Sequence, residues 1–304
     1  DTTVYEANLH YPTDSSLLWD CFRVLARELK AIQKEIEDLA IKHRFHNKKV
    51  RRLALYIARH AKSRNKKRKR GVKKRYRKLI AQARRIMGVS EEIRTYLNSR
   101  SPEAQLLLHY EELTQRVIYQ AEKRIFEGII LPAEEKIYSI FEEHTELIKR
   151  GKAGKPIEFG HKIMLAQTGE KFISQYQVYP HQQDDSTLID SMLSKHRALF
   201  QDTPEVLCLD QGFYQGADPL SRLRMDISTV SIRKKGRKTE EEQEAENAEE
   251  FKDGQRFRAG IEGTISVLKR GYKLDRCLFR GFKNYAASVA LAVLCHNLVL
   301  LTEL

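Results

Sequence analysis

The first half of the chain carries apolar side chains at three- and four-residue intervals, the spacing of one helix face. Residues 15–45 follow this pattern and residues 48–87 continue it. Ser101-Pro102 supplies an N-cap residue followed by proline at the first helical position, which predicts a further helix to about residue 126. We therefore predict three or four amphipathic helices, packed as antiparallel hairpins.

One stretch interrupts this pattern. Residues 61–74 contain almost no apolar side chain, so they cannot bury a helix face. We expect either a projecting, solvated helix end or a loop at Gly71.

After Pro132 the pattern changes to β-rich segments that alternate with helical ones, which indicates an α/β body carrying a helical insertion. Thr168-Gly169-Glu170 joins two β-rich segments and predicts a hairpin. The polar stretch 233–253 is interpreted as a flexible surface connection. The predicted strands are Ile157–Gln167, Lys171–Tyr179, Glu205–Leu209 and Ile227–Ile232, and the predicted helices are Ser186–His196, Gly216–Met225, Phe251–Arg270 and Asn284–Leu301.

The last of these helices is apolar enough to resemble a membrane span. Ser288, His296 and Asn297 interrupt it, and its uninterrupted apolar runs fall well short of about 20 residues. We therefore predict a buried core helix and expect no membrane partner.

Charge is distributed unevenly along the 304 residues. The net charge is +14, which favours a polyanionic partner. From Lys42 to Arg85 there are 21 Lys or Arg and no Asp or Glu, so the remaining chain carries 14 − 21 = −7. An ordinary solvated helix face usually mixes both signs. We predict a basic helical module attached to a mildly acidic body.

The composition excludes several classes of protein. A hydrophobic share of 41% with 12 Phe and 13 Tyr fits a chain that folds around a core, and not a collagen-like or wholly disordered one. The four cysteines are far apart and form no CxxC pair, so we expect neither a zinc ribbon nor a disulfide framework and favour the cytoplasm. Because the chain begins with Asp1, we expect a fragment or a processed piece.

The predicted helix around Glu262 combines a carboxylate with two cations. Arg258 precedes Glu262 by four residues and Lys269 follows it by seven, which places the cations about 40° and 20° from the carboxylate around the helix. An apolar stripe lies roughly 100° away and consists of Phe257, Ile261, Ile265 and Leu268. An ordinary amphipathic helix with i,i+4 ion pairing has the same spacing, so the residues alone leave both interpretations open.

A second carboxylate stands at the end of a predicted strand. Asp210 follows the apolar run 206–209 and precedes a glycine, the position where α/β sheets place their sites. A turn or N-cap aspartate has the same surroundings. The sequence has no HExxH spacing, no complete phosphate loop and no GxSxG elbow.

In this order the motifs resemble those of the DDE transposases of bacterial insertion sequences. The family signature is Tyr, two residues, Arg, three residues, Glu, six residues, Lys. Arg258, Glu262 and Lys269 match it, whereas Gln255 stands at the Tyr position. The resemblance covers nearly the whole chain, most specifically residues 157–304. Further segments that resemble family motifs are Leu209–Phe213, Gly151-Lys152 with Glu158–Lys162, Asp1–Val4 and Tyr11–Asp14.

The resemblance implies an RNase H-like α/β fold, in which helices flank a mixed sheet and a long basic helical insertion follows the first strand. Residues 1–12 would form the first strand, 13–130 the insertion and 131–304 the catalytic core. The implied activity is metal-dependent nicking of DNA at transposon ends, followed by transfer of the freed 3′-hydroxyl into target DNA.

The resemblance also implies the residues of the site. Asp1, Asp210 and Glu262 would form the acidic triad and hold two Mg²⁺ ions, with Mn²⁺ as a possible substitute. Arg258 and Lys269 would grip the DNA backbone beside the metal ions. A homodimer on paired ends of double-stranded DNA is expected from the family.

Two alternatives stay open. The first is a non-catalytic nucleic-acid-binding or architectural protein, such as a decayed transposase, and the second is a structure-specific nuclease of the same fold. An α-ammonium on Asp1 would repel metal ions, so we expect this fragment to be weakly active. Asp14 is the fallback for the first carboxylate.

In each of these interpretations we expect the basic helices 42–86 to bind DNA, and a solvated charged face is the open alternative. About eight phosphate contacts would make log K fall with log salt at a slope near −7, and we expect the protein to associate with the nucleoid. Tyr56 and Tyr76 are weaker candidates for stacking on bases. The candidate DNA contacts in these helices are Lys66, Lys67, Arg68, Lys69, Arg70, Lys73, Lys74 and Arg75.

Overall fold

The polypeptide folds into two units, each with its own buried apolar side chains. The computed structural model describes residues 1–36, 43–149 and 154–303. Asp1–Asn8 and His144–Leu304 form one unit, which we call the α/β unit, and Leu9–Glu143 form the other, the helical unit. The helical unit is therefore inserted in the sequence just after the first strand.

The described part of the helical unit contains four α-helices whose buried faces share one apolar core. Thr13 begins the first helix with a reciprocal capping box, in which its Oγ1 accepts from the Ser16 amide. Ser101 caps the fourth helix by accepting from the Ala104 amide, which confirms the predicted start. The helices are α1 (Asp14–Glu35), α2 (Asn47–His60), α3 (Lys66–Arg94) and α4 (Pro102–Glu122), and α4 continues into a short π-helix at Lys123–Glu127.

The first helix is shorter than the pattern predicts. It ends at Glu35, not at residue 45. Residues 37–42 lie outside the described residues, and 43–46 are not helical. The apolar spacing alone does not show this end, because the apolar stripe resumes in α2.

The break in the basic stretch falls at 61–65, and not at Gly71, which lies inside α3. The Asn65 side chain accepts from the amides of Lys67 and Arg68 and so begins the helix. Of the two expected arrangements, the projecting helix end is therefore the one observed. An added Cβ on Gly71 would lie 3.1 Å from Tyr56 Oη, so this glycine allows α2 and α3 to pack closely.

The strands of the described α/β unit form two separate sheets. The larger sheet has the order β2-β3-β1-β7, and β4 also pairs with β3. β1 and β7 are parallel, and the other pairs of this sheet are antiparallel. The predicted β3–β4 hairpin is confirmed. The second sheet consists of β5 and β6 in parallel. The strands are β1 (Thr2–Ala7), β2 (Glu146–Lys149), β3 (Ile157–Gln167), β4 (Ile173–Val178), β5 (Val206–Leu209), β6 (Thr229–Ile232) and β7 (Arg276–Cys277).

Helices cover these sheets and enclose two apolar clusters. The prediction of a flexible connection over 233–253 is wrong, because a helix forms inside it. Thr239 begins that helix with a capping box, and Lys234 and Lys238 pair with Glu242 and Glu246 at 2.6 Å each. The helices of this unit are α5 (Ile189–Phe200), α6 (Ala217–Asp226), α7 (Glu240–Asn247), α8 (Glu249–Gly271) and α9 (Phe282–Glu303).

The last helix, α9, packs against the core on one face and exposes the other, so the prediction of a buried core helix holds for one face only. Asn297 fixes its orientation, because the side chain both donates to and accepts from the backbone of Ile173 at 2.9 Å. By length and hydropathy α9 qualifies as a candidate membrane span, with 28% of its most apolar window buried. Its exposed apolar side chains are Leu291, Leu294, Leu298, Val299 and Leu301.

Helix α8 lies unusually close to the β5–β6 sheet at Gly254. An added Cβ there would lie 2.7 Å from Ser231 Cβ and 3.0 Å from Cys208 Sγ. Gln255 fixes the same helix by donating to the Ser231 carbonyl at 2.9 Å. These contacts hold α8 against the β5–β6 sheet near Gly254, on the same helix that carries Glu262.

We expect Gly254→Ala to lower the free energy of unfolding by about 1–3 kcal/mol, because the added methyl group overpacks the contact with β5 and β6. Gly260→Ala is the matched control on the same helix, since nothing lies within 4 Å of its added Cβ. It should raise stability by up to about 1 kcal/mol through helix propensity. Urea unfolding followed by circular dichroism measures both, and equal effects would contradict the close-packing argument.

Candidate active site

The three acids predicted from the sequence line one cavity of the α/β unit. Asp1 stands just before β1, Asp210 just after β5, and Glu262 in the middle of α8. The cavity has a volume of about 810 Å³, and Lys269 also lines it. Side chains that are distant along the chain are therefore neighbours around one space.

Backbone structure fixes the first two carboxylates. Asp1 continues the ladder between β1 and β3, because its amino nitrogen donates to the Leu165 carbonyl at 2.8 Å. Its carboxylate accepts from the Thr2 amide at 2.7 Å. The Asp210 carbonyl accepts from the amide of Phe213 at 3.0 Å, and the Phe213 ring is fully buried. This turn anchors Asp210 at the end of β5.

Arg258 bridges two of the acids. Its Nη2 donates to Glu262 Oε1 at 2.8 Å and to Asp1 Oδ2 at 3.1 Å. The i,i+4 pair within α8 confirms the predicted neighbourhood of Arg258 and Glu262. The sequence alone did not predict the contact with Asp1. Only 19% of the Arg258 side chain and 11% of the Asp1 side chain are exposed, so this pair is largely shielded from water.

A fourth carboxylate, Asp185, lines the same cavity and was missed by the sequence analysis. It accepts from Lys162 Nζ at 2.7 Å and from Thr2 Oγ1 at 3.2 Å. An added Cβ on Gly212 would lie 3.0 Å from Asp185 Oδ2. Asp185 thus connects the start of β1 with the turn that follows Asp210. Its partners are distant in sequence and share no motif with it, so no sequence pattern indicates this role.

One part of the predicted apolar stripe on α8 is wrong. Ile261 and Leu268 are buried as expected, but 45% of Phe257 is exposed. Phe257 lines a second cavity of about 830 Å³, together with Asp1 and Arg258. The helical period places Phe257 on the same side of α8 as Ile261 and Leu268. The neighbouring elements, however, leave the second cavity open beside the Phe257 ring.

The chemistry of the first cavity suits a hard divalent cation, because carboxylate oxygens from Asp1, Asp185, Asp210 and Glu262 line it. Within residues 1–36, 43–149 and 154–303, however, no group of three or more His, Cys, Asp or Glu is close enough to hold a metal ion. Arg258 instead binds two of the carboxylates. The donors fit such an ion chemically, while their present arrangement accommodates a guanidinium.

Asp14, the fallback carboxylate, lies in the helical unit. It is the first residue of α1, where it accepts from Gln120 at 3.3 Å and pairs with Arg124 at 3.5 Å. Burial raises its pKa. These contacts within the helical unit account for its burial without a role in the cavity.

The basic residues of the helical unit form an exposed helix end. The first turn of α3 has basic residues on every side and no acid, an arrangement that the positive end of the helix dipole disfavours. Tyr76 is buried, and Arg75 lies 3.4 Å over the ring of Tyr56, so neither ring is available as an open stacking platform. Of the predicted DNA contacts, the exposed ones are Lys66, Lys67, Arg68, Lys69, Arg70, Lys73 and Lys74.

The family comparison matches the C-terminal part of this arrangement. Residues 224–302 match the family model described as "Transposase DDE domain". The matched segment contains Arg258, Glu262 and Lys269, whereas Asp1 and Asp210 lie outside it. No curated protein and no solved structure matches the chain. The match supports a transposase-type function, with DNA as the partner.

Removal of the fourth carboxylate tests its contacts. We expect Asp185→Ala to lower the free energy of unfolding by about 1–3 kcal/mol, because Lys162 is largely buried and loses its ion-pair partner. The neighbouring exposed Asp184→Ala should change stability by less than about 0.5 kcal/mol. Urea unfolding measures both variants, and similar losses would show that Asp185 has no special role.

Proposed function

We propose that this chain is a DDE-type transposase, which nicks DNA at transposon ends and transfers the freed 3′-hydroxyl into target DNA. The observation that carries the proposal is the convergence of Asp1, Asp210 and Glu262 on one cavity that Lys269 also lines. The family match over residues 224–302 supports the same class of reaction. We also propose that the α/β unit has an RNase H-like architecture, with residues 13–130 as the insertion.

The proposed residue roles follow from charge and position. Asp1, Asp210 and Glu262 would hold Mg²⁺ or Mn²⁺, which activates an attacking oxygen and stabilises the leaving oxygen of a phosphodiester. Asp1 and Asp210 would come from relatively rigid strand ends, and Glu262 from a helix that Gly254 and Gln255 fix in place. Lys269 would attract the DNA phosphate beside the carboxylates.

Asp185 would serve as a positioning residue. It neutralises Lys162 and contacts both Thr2 and the edge of Gly212, so it links the backbones that carry Asp1 and Asp210. A carboxylate with this many protein contacts is less free to approach an ion than Glu262, of which 63% is exposed. We assign the ligand role to Asp1, Asp210 and Glu262, because these are the acids that the family resemblance implies.

The basic end of α3 would bind the DNA backbone. Its exposed cations favour an anion, and DNA phosphates supply one every few ångströms. Arg75 would act less directly, because it stacks on Tyr56. A homodimer on paired DNA ends completes the proposal.

The acid variants test the reaction. We expect Asp210→Asn and Glu262→Gln to reduce nicking by at least about a hundredfold, because each removes a charged ligand without removing bulk. The assay uses a plasmid carrying the element's ends with Mg²⁺ or Mn²⁺, and filter binding checks that DNA affinity is retained. Glu249→Gln, an exposed change on the same helix, is the control.

If both acid variants nicked DNA at the wild-type rate, the transposase proposal would be refuted. A wild-type chain that nicks DNA but never joins strands would be a nuclease instead. Binding without any cleavage would favour an architectural role.

The basic helix end is tested by salt dependence. Replacing Lys66, Lys67, Arg68, Lys69 and Arg70 together by Gln should make the slope of log K against log salt shallower by up to about 4.5, because each phosphate contact contributes about 0.9. Removing cations from a helix N-terminus should not destabilise the helix. Lys30 and Lys34, which are exposed on α1, are the control pair for replacement by Gln. An unchanged slope in the five-residue variant would exclude this surface from DNA binding.

A further inference from the structure

Arg258 occupies the place of a cation in the candidate active site. One nitrogen, Nη2, donates to both Asp1 and Glu262, which are two of the three acids in the proposed triad. The guanidinium is mostly buried. A single guanidinium balances one of the two negative charges, so the two carboxylates attract another cation less strongly than they would without Arg258.

A divalent ion would compete directly with this arrangement. It would need the same carboxylate oxygens, and it would be repelled by a guanidinium held within hydrogen-bond distance of them. The ion and Arg258 therefore cannot both bind these oxygens fully. The lack of a three-residue metal cluster among the described residues agrees with an arrangement adapted to Arg258.

The two carboxylates bind the Arg258 guanidinium incompletely, so Arg258 can exchange them for another acceptor. Both bonds come from Nη2, so neither carboxylate receives the two parallel bonds of a bidentate pair. Nε is buried and has no partner among the residues that the structure describes. A phosphate oxygen pair can accept from two guanidinium nitrogens at once, which makes it a better partner than the shared carboxylates.

We propose that Arg258 is the resident cation of this site in the DNA-free chain, and that it couples metal binding to DNA binding. A divalent ion binds Asp1 and Glu262 tightly only after a DNA phosphate has drawn Arg258 away. The inference rests on the proposed function for its ligands, and it assigns Arg258 the part of a positioning residue.

The chain contains a matched control for this role. Arg256 lies two residues earlier on α8 and also bridges two carboxylates, donating to Glu249 at 2.8 Å and to Asp253 at 2.5 Å. This bridge is exposed to solvent and does not involve the triad. The two arginines therefore differ in location but not in the kind of contact.

The experiment is a titration of the DNA-free chain with Mn²⁺, followed by electron paramagnetic resonance of the free ion. We expect Arg258→Gln to bind Mn²⁺ at least about tenfold more tightly than the wild type, and Arg256→Gln to bind like the wild type. Circular dichroism confirms that each variant is folded. An unchanged affinity in Arg258→Gln, or the same gain in both variants, would overturn the proposal.

A second titration compares the wild-type chain and Arg258→Gln, each with a saturating duplex that carries the element's ends. Its wild-type arm does not depend on the folding of a variant. The duplex should raise the Mn²⁺ affinity of the wild type at least about fivefold and leave that of Arg258→Gln nearly unchanged. No gain in the wild type, or an equal gain in both proteins, would overturn the coupling. Neither titration requires cleavage, so a chain that never nicks DNA would refute the proposed function and leave this test intact.

Discussion

The convergence of like charges is the constraint on which the candidate site depends. Carboxylates from four separate segments line one cavity, and their mutual repulsion must be balanced by nearby cations. Arg258 pairs with both Asp1 and Glu262, while Lys162 pairs with Asp185. The positions of the acids are therefore inseparable from the positions of these two cations.

The two units divide the charge of the molecule between them. The helical unit contains most of the basic stretch, and the start of α3 presents its cations on all sides with no acidic partner in the first turn. In the α/β unit the cations that line the cavity accompany carboxylates. Long-range attraction of a polyanion and local charge balance are thus assigned to different parts of the sequence.

Much of the fold follows from local sequence patterns. The caps at Thr13 and Ser101 and the β3–β4 hairpin depend on residues that are close in sequence, and each side-chain contact forms within a few residues. Ordering of the acidic stretch also uses short-range pairs, such as Lys238 with Glu246. The sequence analysis missed it because a run of Glu alone indicates solvation and does not reveal the Lys partners.

The candidate site was predictable only in part. Glu262 and Arg258 are four residues apart on one helix, so helical geometry alone makes them neighbours. The bond from Arg258 to Asp1 joins residues 257 positions apart, and the pair of Lys162 with Asp185 depends on the packing of a loop against β3. Apolar periodicity also does not predict the close approach of α8 to the β5–β6 sheet at Gly254, because that approach depends on which atoms of the sheet face this glycine.

The separation of the two sheets bears on the gap between two of the proposed ligands. Asp1 belongs to the larger sheet and Asp210 to the β5–β6 sheet, and no ladder between these sheets occurs in the described strands. In the described strands, therefore, no row of backbone hydrogen bonds sets the gap between these two carboxylates, and the contacts of Asp185 with Thr2 and Gly212 bridge it instead.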